Sequence, residues 1–412
     1  MDFLDPGVES ASRDEIVGIQ LERLKLTLSL AGGSRMYQHK FSDSGVGLGG
    51  VGSLEDLSTL PFTTKEDLRS WYPFGAVPVD LDDLALFVHS SGTTGKVIGI
   101  YHTQRDLEDI ARIQSRSYYG TGIRKKDRVQ LMISPVAGYS FTRSLHRLGA
   151  FTVFTGSGNP KGQVDIVKDL GISVVFGLPS FLMHLSQRYP EVCDSSVNRI
   201  ISLGEPLTRA MRERLEVGWG AEVYSVFGST ELGAGFAECC KHDGHHVPWD
   251  AFIIETVDPE SGEPTRDAGE MVFTTLCREG TPLIRYRTGD LVRIVHDVCG
   301  CGRTNPRVLP EGRLGEMLKV KGTALYPSVL REHLTSVSEL SGFQVVVDKD
   351  GSLDRLILRV ETNREGSSTE LETRLAELVK SVTGITPVVE FLPRNTLNPS
   401  SGKAKQFLDL RP

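Results

Sequence analysis

Apolar residues along the chain follow two kinds of pattern. Over residues 9–40 they recur at helical spacing, which predicts packing helices near the N-terminus. From about residue 85, short apolar runs alternate with polar amphipathic stretches, and these runs are ALFVHS, VQLMISP, FTVFTG, ISVVFGLP, RIISLGE and EVYSVFG. This alternation predicts βαβ units around a largely parallel, buried sheet.

The pattern changes twice more toward the C-terminus. After residue 265, EMVFTTL, PLIRYRT and LVRIVHD predict the strands of a β-rich subdomain, and beyond EGRLGEM two helices alternate with strands. The sequence therefore predicts an α/β protein whose large N-terminal domain, with mostly parallel sheets and a β-rich subdomain, precedes a small α+β C-terminal domain. We place the N-terminal domain at 1–312, its β-rich subdomain at about 235–310 and the C-terminal domain at 313–412.

Composition narrows the class of protein. A chain of 412 residues with 39% hydrophobic and 24% charged residues is globular and too long for one ordinary core. The formal charge of -7 argues against a nucleic-acid partner, which would require a basic face. The N-terminal stretch is acidic rather than signal-like, and no later stretch is apolar enough to cross a bilayer. We therefore expect a cytoplasmic protein without a membrane partner.

A candidate phosphate-binding loop, SSGTTGK, follows the apolar run ALFVH and spans Ser90 to Lys96. Small hydroxyl and glycine residues allow backbone N–H groups to approach an anion, and Lys96 adds positive charge. The P-loop of nucleoside triphosphatases is the obvious rival, but it needs Gly in place of Ser90 and Ser or Thr in place of Val97. A solvated turn without a ligand is the other alternative.

Five further motifs follow in order along the chain. They are GEP at 204–206, FGSTE at 227–231, YRTGD at 286–290, GRLGEMLKVKG at 312–322 and SGK at 401–403. With this order and spacing the chain resembles the adenylate-forming superfamily of acyl-CoA synthetases and, within it, the phenylacetate-CoA ligase family. The resemblance covers nearly the whole chain. It implies an enzyme that uses ATP and Mg²⁺ to activate a carboxylic acid, aryl or arylacetic, as an acyl-AMP.

The resemblance also implies roles for individual residues. Thr230 would hydrogen-bond the α-phosphate, Glu231 would ligate Mg²⁺, and Asp290 would accept both ribose hydroxyls. The β- and γ-phosphates would be bound by Ser90, Ser91, Gly92, Thr93, Thr94, Gly95 and Lys96. Other contacts to the nucleotide would come from Gly204, Glu205, Pro206, Phe227, Gly228, Ser229 and Arg313. The alternative for these motifs is a set of polar turns at strand ends.

Lys403 is the residue that the resemblance makes catalytic in the first half-reaction. It would approach the α-phosphate and the attacking carboxylate, and offset the negative charge that builds on the phosphorus. A solvated tail lysine is the alternative, with Lys405 as a neighbour that could be confused with it. The segment EGRLGEM would be the hinge of a mobile C-terminal domain, and Gly315 could absorb the backbone rotation there.

The cysteines indicate a metal site. Six cysteines in so long a chain are too few for a disulfide scaffold, and four of them are clustered. Three thiolates and one imidazole suit a structural, tetrahedral Zn²⁺, and we predict as ligands Cys239, His246, Cys299 and Cys301. Cys240 and His245 are adjacent alternatives, and reduced packing cysteines are the alternative without metal.

The substrate pocket is expected between the central sheet and the loop GYSFTR, with Tyr139 and Phe141 as aromatic walls. Relatives carry a longer segment there, so the acid can differ from phenylacetate. Three functions stay open: transfer of the adenylate to coenzyme A; transfer to an amine, a hydroxyl or a carrier-protein thiol; and nucleotide binding without catalysis. The resemblance also suggests a homodimer.

Overall fold

The computed structural model describes residues 2–45, 51–90, 97–156, 158–314, 318–320, 323–325, 327–350, 353–363, 369–394, 396–397 and 406–411. Contacts within the chain divide it into two compact units. The first unit contains Met1–Glu205 and Leu215–Pro310, and the second contains Pro206–Arg214 and Glu311–Pro412. The predicted boundary between residues 312 and 313 stays a prediction.

Several helices begin at side-chain caps that satisfy their first free N–H groups. Capping boxes join Ser12 to Glu15 and Thr103 to Asp106, so that each start is fixed by a reciprocal pair of hydrogen bonds. The helices are α1 (Pro6–Glu9), α2 (Arg13–Ala31), α3 (Arg35–Ser44), α4 (Lys65–Ser70), α5 (Gln104–Gly120), α6 (Pro135–Arg147), α7 (Pro160–Asp169), α8 (Pro179–Arg188), α9 (Arg209–Trp219), α10 (Pro327–Ser336) and α11 (Thr369–Thr383).

The strands follow the apolar runs of the sequence. They are β1 (Leu84–Ser90), β2 (Ile98–Thr103), β3 (Arg128–Met132), β4 (Phe151–Phe154), β5 (Val174–Gly177), β6 (Arg199–Leu203), β7 (Glu222–Gly228), β8 (Gly235–Ala237), β9 (His245–His246), β10 (Phe252–Val257), β11 (Gly269–Thr275), β12 (Tyr286–Val295), β13 (Arg307–Arg313), β14 (Leu318–Val320), β15 (Thr323–Leu325), β16 (Leu340–Asp350), β17 (Leu353–Thr362), β18 (Val388–Phe391) and β19 (Phe407–Asp409).

The central sheet of the first unit has six strands in the order β4-β3-β5-β6-β7-β8. Strands β3 to β7 run parallel, and β8 is antiparallel to β7. The strand β5 is buried along its whole length, as expected for a sheet covered by helices on both faces. The predicted parallel sheet is thereby confirmed.

The run ALFVHS differs from the prediction. It forms β1, which pairs in antiparallel fashion with β2 in a separate two-stranded sheet. Along β1 half-buried and exposed residues alternate, the pattern of a strand with one solvated face, whereas β5 in the parallel sheet is buried along its whole length. The hairpin of β1 and β2 flanks the candidate phosphate loop.

The β-rich part of the first unit is a five-stranded sheet in the order β10-β11-β12-β13-β9. The two predicted strands PLIRYRT and LVRIVHD contribute to one long strand, β12. Strand β13 pairs with β9, with Arg307 opposite His246. Apolar residues of α2, α3 and this sheet share one buried core cluster, which explains the helical stripe near the N-terminus.

The second unit contains a four-stranded sheet in the order β18-β17-β16-β19, with helices α10 and α11. Strands β16 and β17 form a long antiparallel hairpin, and β18 and β19 add to its two sides in parallel. Leu334, Val345 and Leu375 belong to its separate apolar core. This agrees with the predicted α+β architecture of the C-terminal region.

Among all the residues that the structure describes, none of the helices combines the length and the apolar character needed to cross a membrane.

Candidate functional site

The predicted nucleotide motifs lie at the carboxyl ends of neighbouring strands. Strand β6 ends at Leu203 and is followed by Gly204 and Glu205, while β7 ends with Phe227 and Gly228. The two strands are parallel neighbours, so both motifs emerge at the same edge of the sheet. Ligands of open parallel sheets bind at this edge.

The turn that follows β7 places the predicted magnesium ligand. The hydroxyl of Ser229 accepts a hydrogen bond from the Leu232 N–H at 3.2 Å, and Thr230 between them is half-buried. Glu231 is only 5% exposed, and its Oε1 accepts a hydrogen bond from the Tyr286 hydroxyl at 3.3 Å. A buried carboxylate requires such a partner, and the contact fixes one oxygen of the group.

Asp290 lies on the same strand as Tyr286, in the middle of β12. Its N–H donates to the Thr288 hydroxyl at 2.9 Å, and that hydroxyl donates to the Met271 carbonyl at 2.8 Å. Gly289, in the left-handed region with φ of 76°, donates its N–H to the Glu270 carboxylate at 2.9 Å. The predicted ribose ligand is thus half-buried on a firmly bound turn.

Other predicted nucleotide residues have local partners. Glu205 accepts a hydrogen bond from the Ser180 N–H at 3.2 Å, and so contributes to the cap of α8. The Phe227 ring is half-buried and lies 6.0 Å from the His245 ring. Pro206 and Arg313 are exposed residues of the second unit.

Several predicted residues fall outside the described part of the chain. Ser90 is the last residue of β1, and beyond the described residues lie Ser91, Gly92, Thr93, Thr94, Gly95, Lys96, Gly315 and Lys403. Their proposed roles therefore stay predictions.

The expected substrate loop is part of a helix. Tyr139 and Phe141 both lie on α6, which begins at Pro135, a favoured first helical residue. Tyr139 is 45% exposed, whereas Phe141 is buried against Tyr118 and Phe176. Residues two apart on a helix do not share a face, so the two rings point differently. Their assignment to one pocket stays a prediction.

The four predicted metal ligands come together in the interior. Cys239, Cys299 and Cys301 are 1% to 3% exposed, His246 is 6% exposed, and their ligand atoms all lie within 4.8 Å of one another. The Sγ atoms of Cys239 and Cys299 are 3.7 Å apart, and the His246 Nε2 is 3.6 Å from the Cys301 Sγ. A tetrahedron with Zn–S bonds of about 2.3 Å has edges of about 3.8 Å. The donor set therefore fits a tetrahedral Zn²⁺ in both chemistry and size.

The surroundings of this cluster favour a thiolate. Hydrogen bonds from Cys239, His246 and Arg303 hold the pKa of Cys301 well below its usual range, against the effect of burial. Arg303 directs one guanidinium nitrogen to the Cys301 Sγ at 3.6 Å and another to the Glu9 carboxylate at 2.9 Å. The cluster is thus connected to α1 near the N-terminus.

The adjacent alternatives have other partners. The two ring nitrogens of His245 contact the Ser225 hydroxyl at 3.0 Å and the Val308 carbonyl at 3.1 Å. Cys240 is half-buried and packs against the cluster from outside. The geometry therefore favours Cys239 and His246 as the ligands.

One residue near the Glu231 turn, Arg278, was not predicted from the sequence. Arg278, between β11 and β12, is buried and donates to the carbonyls of Glu231 and Leu232. The signal available was a lone arginine in the apolar stretch TTLCREGTPLI, which by itself does not reveal a partner.

Two family matches define the class of the protein. Residues 43–276 match the AMP-binding enzyme family, and residues 322–411 match the AMP-binding enzyme C-terminal domain. A solved structure of 2-hydroxyisobutyryl-CoA ligase in the postadenylation state, in complex with 2-HIB-AMP, superposes with a TM-score of 0.90 at 26% identity. That comparison covers 98% of this chain and 91% of the other.

Curated relatives specify the family further. Phenylacetate-coenzyme A ligase of Escherichia coli (strain K12) is 34% identical, over 99% of this chain and 98% of its own. Phenylacetate-coenzyme A ligase of Thermus thermophilus is 33% identical, over 98% of this chain and 99% of its own. The chain belongs to the phenylacetate-coenzyme A ligase family, a family of AMP-forming acid–CoA ligases.

Proposed function

We propose that this protein uses ATP to activate an aryl or arylacetic carboxylic acid as an acyl-AMP, releases pyrophosphate, and transfers the acyl group to the thiol of coenzyme A. The observation that carries the proposal is the contact between Tyr286 and Glu231. It joins the turn predicted to bind the α-phosphate and Mg²⁺ to the strand that holds Asp290, the predicted ribose ligand. The near full-length similarity to phenylacetate-coenzyme A ligases supports the same reaction.

In this proposal each polar group has a distinct task. Glu231 ligates Mg²⁺, a hard cation that prefers carboxylate oxygen, and Thr230 hydrogen-bonds the α-phosphate. Asp290 accepts the ribose hydroxyls, and the loop from Ser90 to Lys96 binds the β- and γ-phosphates. Lys403 offsets the charge that develops during attack by the carboxylate. Further nucleotide contacts fall to Gly204, Glu205, Pro206, Phe227, Gly228, Ser229 and Arg313, and the acyl pocket to Tyr139 and Phe141.

Pyrophosphate exchange with a panel of aromatic acids, with and without CoA, tests the proposal. We expect exchange with at least one aryl or arylacetic acid, and a CoA thioester when CoA is present. Exchange without any thioester would redirect the function to an amine, hydroxyl or carrier-protein acceptor. Absence of exchange with every acid would overturn the enzymatic proposal in favour of nucleotide binding alone.

We also propose that the Cys239, His246, Cys299 and Cys301 cluster binds one structural Zn²⁺. The ligand distances and the burial of all four side chains support this, and closure by four protein ligands leaves no position for a substrate. Elemental analysis of purified protein should give about one zinc per chain. A fully folded protein without metal would contradict the proposal.

The remaining proposals concern the partners, the cellular location and the oligomeric state of the enzyme. The acidic net charge of -7 supports a protein without a nucleic-acid partner. A cytoplasmic location and a homodimer rest on the sequence and on the family resemblance alone. Cell fractionation and light scattering of the purified protein would test them.

A further inference from the structure

We propose that Arg278 is a positioning residue for the adenylation step, which sets the backbone of the turn carrying Thr230 and Glu231. The inference rests on the proposed function, because that function assigns the binding of the α-phosphate and Mg²⁺ to this turn. Nothing in the family motifs includes Arg278, which lies ahead of YRTGD on the segment that enters β12.

The first support is the pair of hydrogen bonds that the Arg278 guanidinium donates. The side chain is buried, and its Nη1 donates to the Glu231 carbonyl at 2.6 Å while its Nη2 donates to the Leu232 carbonyl. Burial lowers the pKa of Arg278 to about 10, so it remains charged at neutral pH. A buried cation is costly unless it is hydrogen-bonded, and here both bonds go to the backbone of one turn.

The second support is the shape of the turn. Gly233 has a φ of 69°, and a Cβ added there would lie 2.8 Å from the Arg278 Nη2. Glycine therefore suits both this backbone conformation and the close approach of the guanidinium. The turn and Arg278 fit each other as a pair.

The third support is the segment that directly follows Arg278. The Asp106 carboxylate accepts the N–H groups of Glu279 at 2.7 Å and Gly280 at 2.9 Å. The Tyr101 N–H of β2 donates to the Thr281 hydroxyl at 2.9 Å. The segment 278–281 therefore bridges the Glu231 turn to the start of α5 and to the hairpin that flanks the candidate phosphate loop.

This bridge should matter most when the triphosphate and Mg²⁺ are being positioned. Loss of the guanidinium would leave two buried carbonyls without donors and allow the turn to shift. A misplacement of about 1 Å at reacting groups can cost about 100-fold in rate. Transfer to CoA from preformed acyl-AMP no longer requires ATP, so it should depend less on this turn.

The test compares Arg278→Met with a matched variant, Arg285→Met. Arg285 is also buried, and also donates to two backbone carbonyls, those of Ser58 at 2.6 Å and Leu60 at 2.8 Å, as well as to the Glu255 carboxylate at 3.0 Å. None of these partners belongs to the Glu231 turn. Arg278→Lys keeps the charge and one donor group, and serves as the conservative variant.

We expect Arg278→Met to slow pyrophosphate exchange by about 100-fold and to raise the half-saturating MgATP concentration. The KM for the acid and the transfer from preformed acyl-AMP should change little. Arg278→Lys should recover much of the exchange. Arg285→Met should lower the melting temperature but leave the MgATP dependence as in the wild type.

The inference is overturned if Arg278→Met matches Arg285→Met in every kinetic measurement, or loses both half-reactions equally. Should Arg278→Met fail to fold, Arg278→Gln takes its place, and unchanged exchange with unchanged MgATP dependence in that variant would overturn the inference. The wild type is assayed first. Its failure to exchange would overturn the proposed function, whereas normal wild-type exchange with unaffected variants overturns only the role of Arg278.

Discussion

The candidate metal cluster and the predicted nucleotide-binding residues both combine turns with positions on strands, but they differ in burial. The four cluster side chains are buried and their ligand atoms already lie within 4.8 Å of one another. Thr230 and Asp290 are half-buried and Gly228 is exposed, so these turns remain accessible to a diffusing ligand. The difference suggests that the cluster acts on stability and the turns act on the rate of adenylation.

The rate side of this comparison is tested most strongly by Lys403→Ala. If Lys403 neutralises charge on the reacting phosphorus, its loss should slow acyl-AMP formation by about 100- to 1,000-fold. Transfer to CoA from preformed acyl-AMP should fall far less, and thermal stability should not change. Pyrophosphate exchange and single-turnover transfer measure the two steps. Lys405→Ala is the control, and equal loss of both steps in Lys403→Ala would contradict the assignment.

The stability side is tested by Cys301→Ser. Removal of one thiolate should release Zn²⁺ and lower the free energy of unfolding by about 3 kcal/mol, because a closed structural site contributes its binding energy to folding. The folded part of the variant should show the same MgATP dependence of pyrophosphate exchange as the wild type. Denaturant unfolding with parallel metal analysis provides the measurement. Cys193→Ser, at an exposed cysteine, is the matched control. A variant as stable as the wild type would remove the distinction between the two regions.

The comparison also shows what the sequence can and cannot predict. The cluster was predictable because three cysteines and a histidine in two short segments suit a tetrahedral metal site, and the parallel sheet because short apolar runs alternate with amphipathic stretches. The sequence predicted His246 as the ligand but left His245 open, because the choice between the two is set by tertiary structure. That choice depends on β9 pairing with β13, which directs His245 to Val308 and Ser225.

The acyl pocket stays a prediction, and the sequence did not show how its two aromatic residues are placed. The stretch around Tyr139 and Phe141 suggested an aromatic wall, but both rings lie on α6 and Phe141 packs in the core. A short aromatic motif carries no information about which face of a helix meets the core. Arg278 escaped notice for a related reason, since its two acceptors are backbone carbonyls that carry no sequence signature.

A buried histidine next to the predicted nucleotide turn tests whether a residue in that region also contributes to stability. Burial, aided by the charge of Arg278, lowers the pKa of His102 to about 3, so the folded protein keeps it neutral. The unfolded chain binds a proton below about pH 6.5, and therefore binds more protons than the folded chain between pH 6.5 and 3. This contribution to stability is complete above pH 6.5 and is lost as the pH falls.

His102 alone should lower the free energy of unfolding by about 2 kcal/mol between pH 7 and pH 5. His102→Gln should therefore lose less stability than the wild type over this range, whatever its stability at pH 7. Denaturant unfolding at both pH values gives the comparison, and any titration of the metal ligands is shared by the two proteins. Identical losses would show that His102 is not kept neutral by the fold.

The smallest expected effect is that of Tyr286→Phe, at a buried residue that contacts the predicted Mg²⁺ ligand. The change removes the hydroxyl that donates to Glu231 and keeps the buried ring. One hydrogen bond contributes about 1 kcal/mol, so adenylation should slow by about 5-fold, with a higher Mg²⁺ requirement. The measurement is pyrophosphate exchange across a Mg²⁺ titration.

Tyr37→Phe is the matched control for this substitution. The Tyr37 hydroxyl is also buried, and it contacts the Thr63 hydroxyl at 3.0 Å and accepts from the Ile284 N–H at 2.8 Å, and neither partner is Glu231. Its loss should reduce stability without altering the Mg²⁺ requirement. If both variants shift the Mg²⁺ titration equally, Tyr286 acts only through packing, and the Glu231 turn belongs with the metal cluster among the stabilising features of the fold.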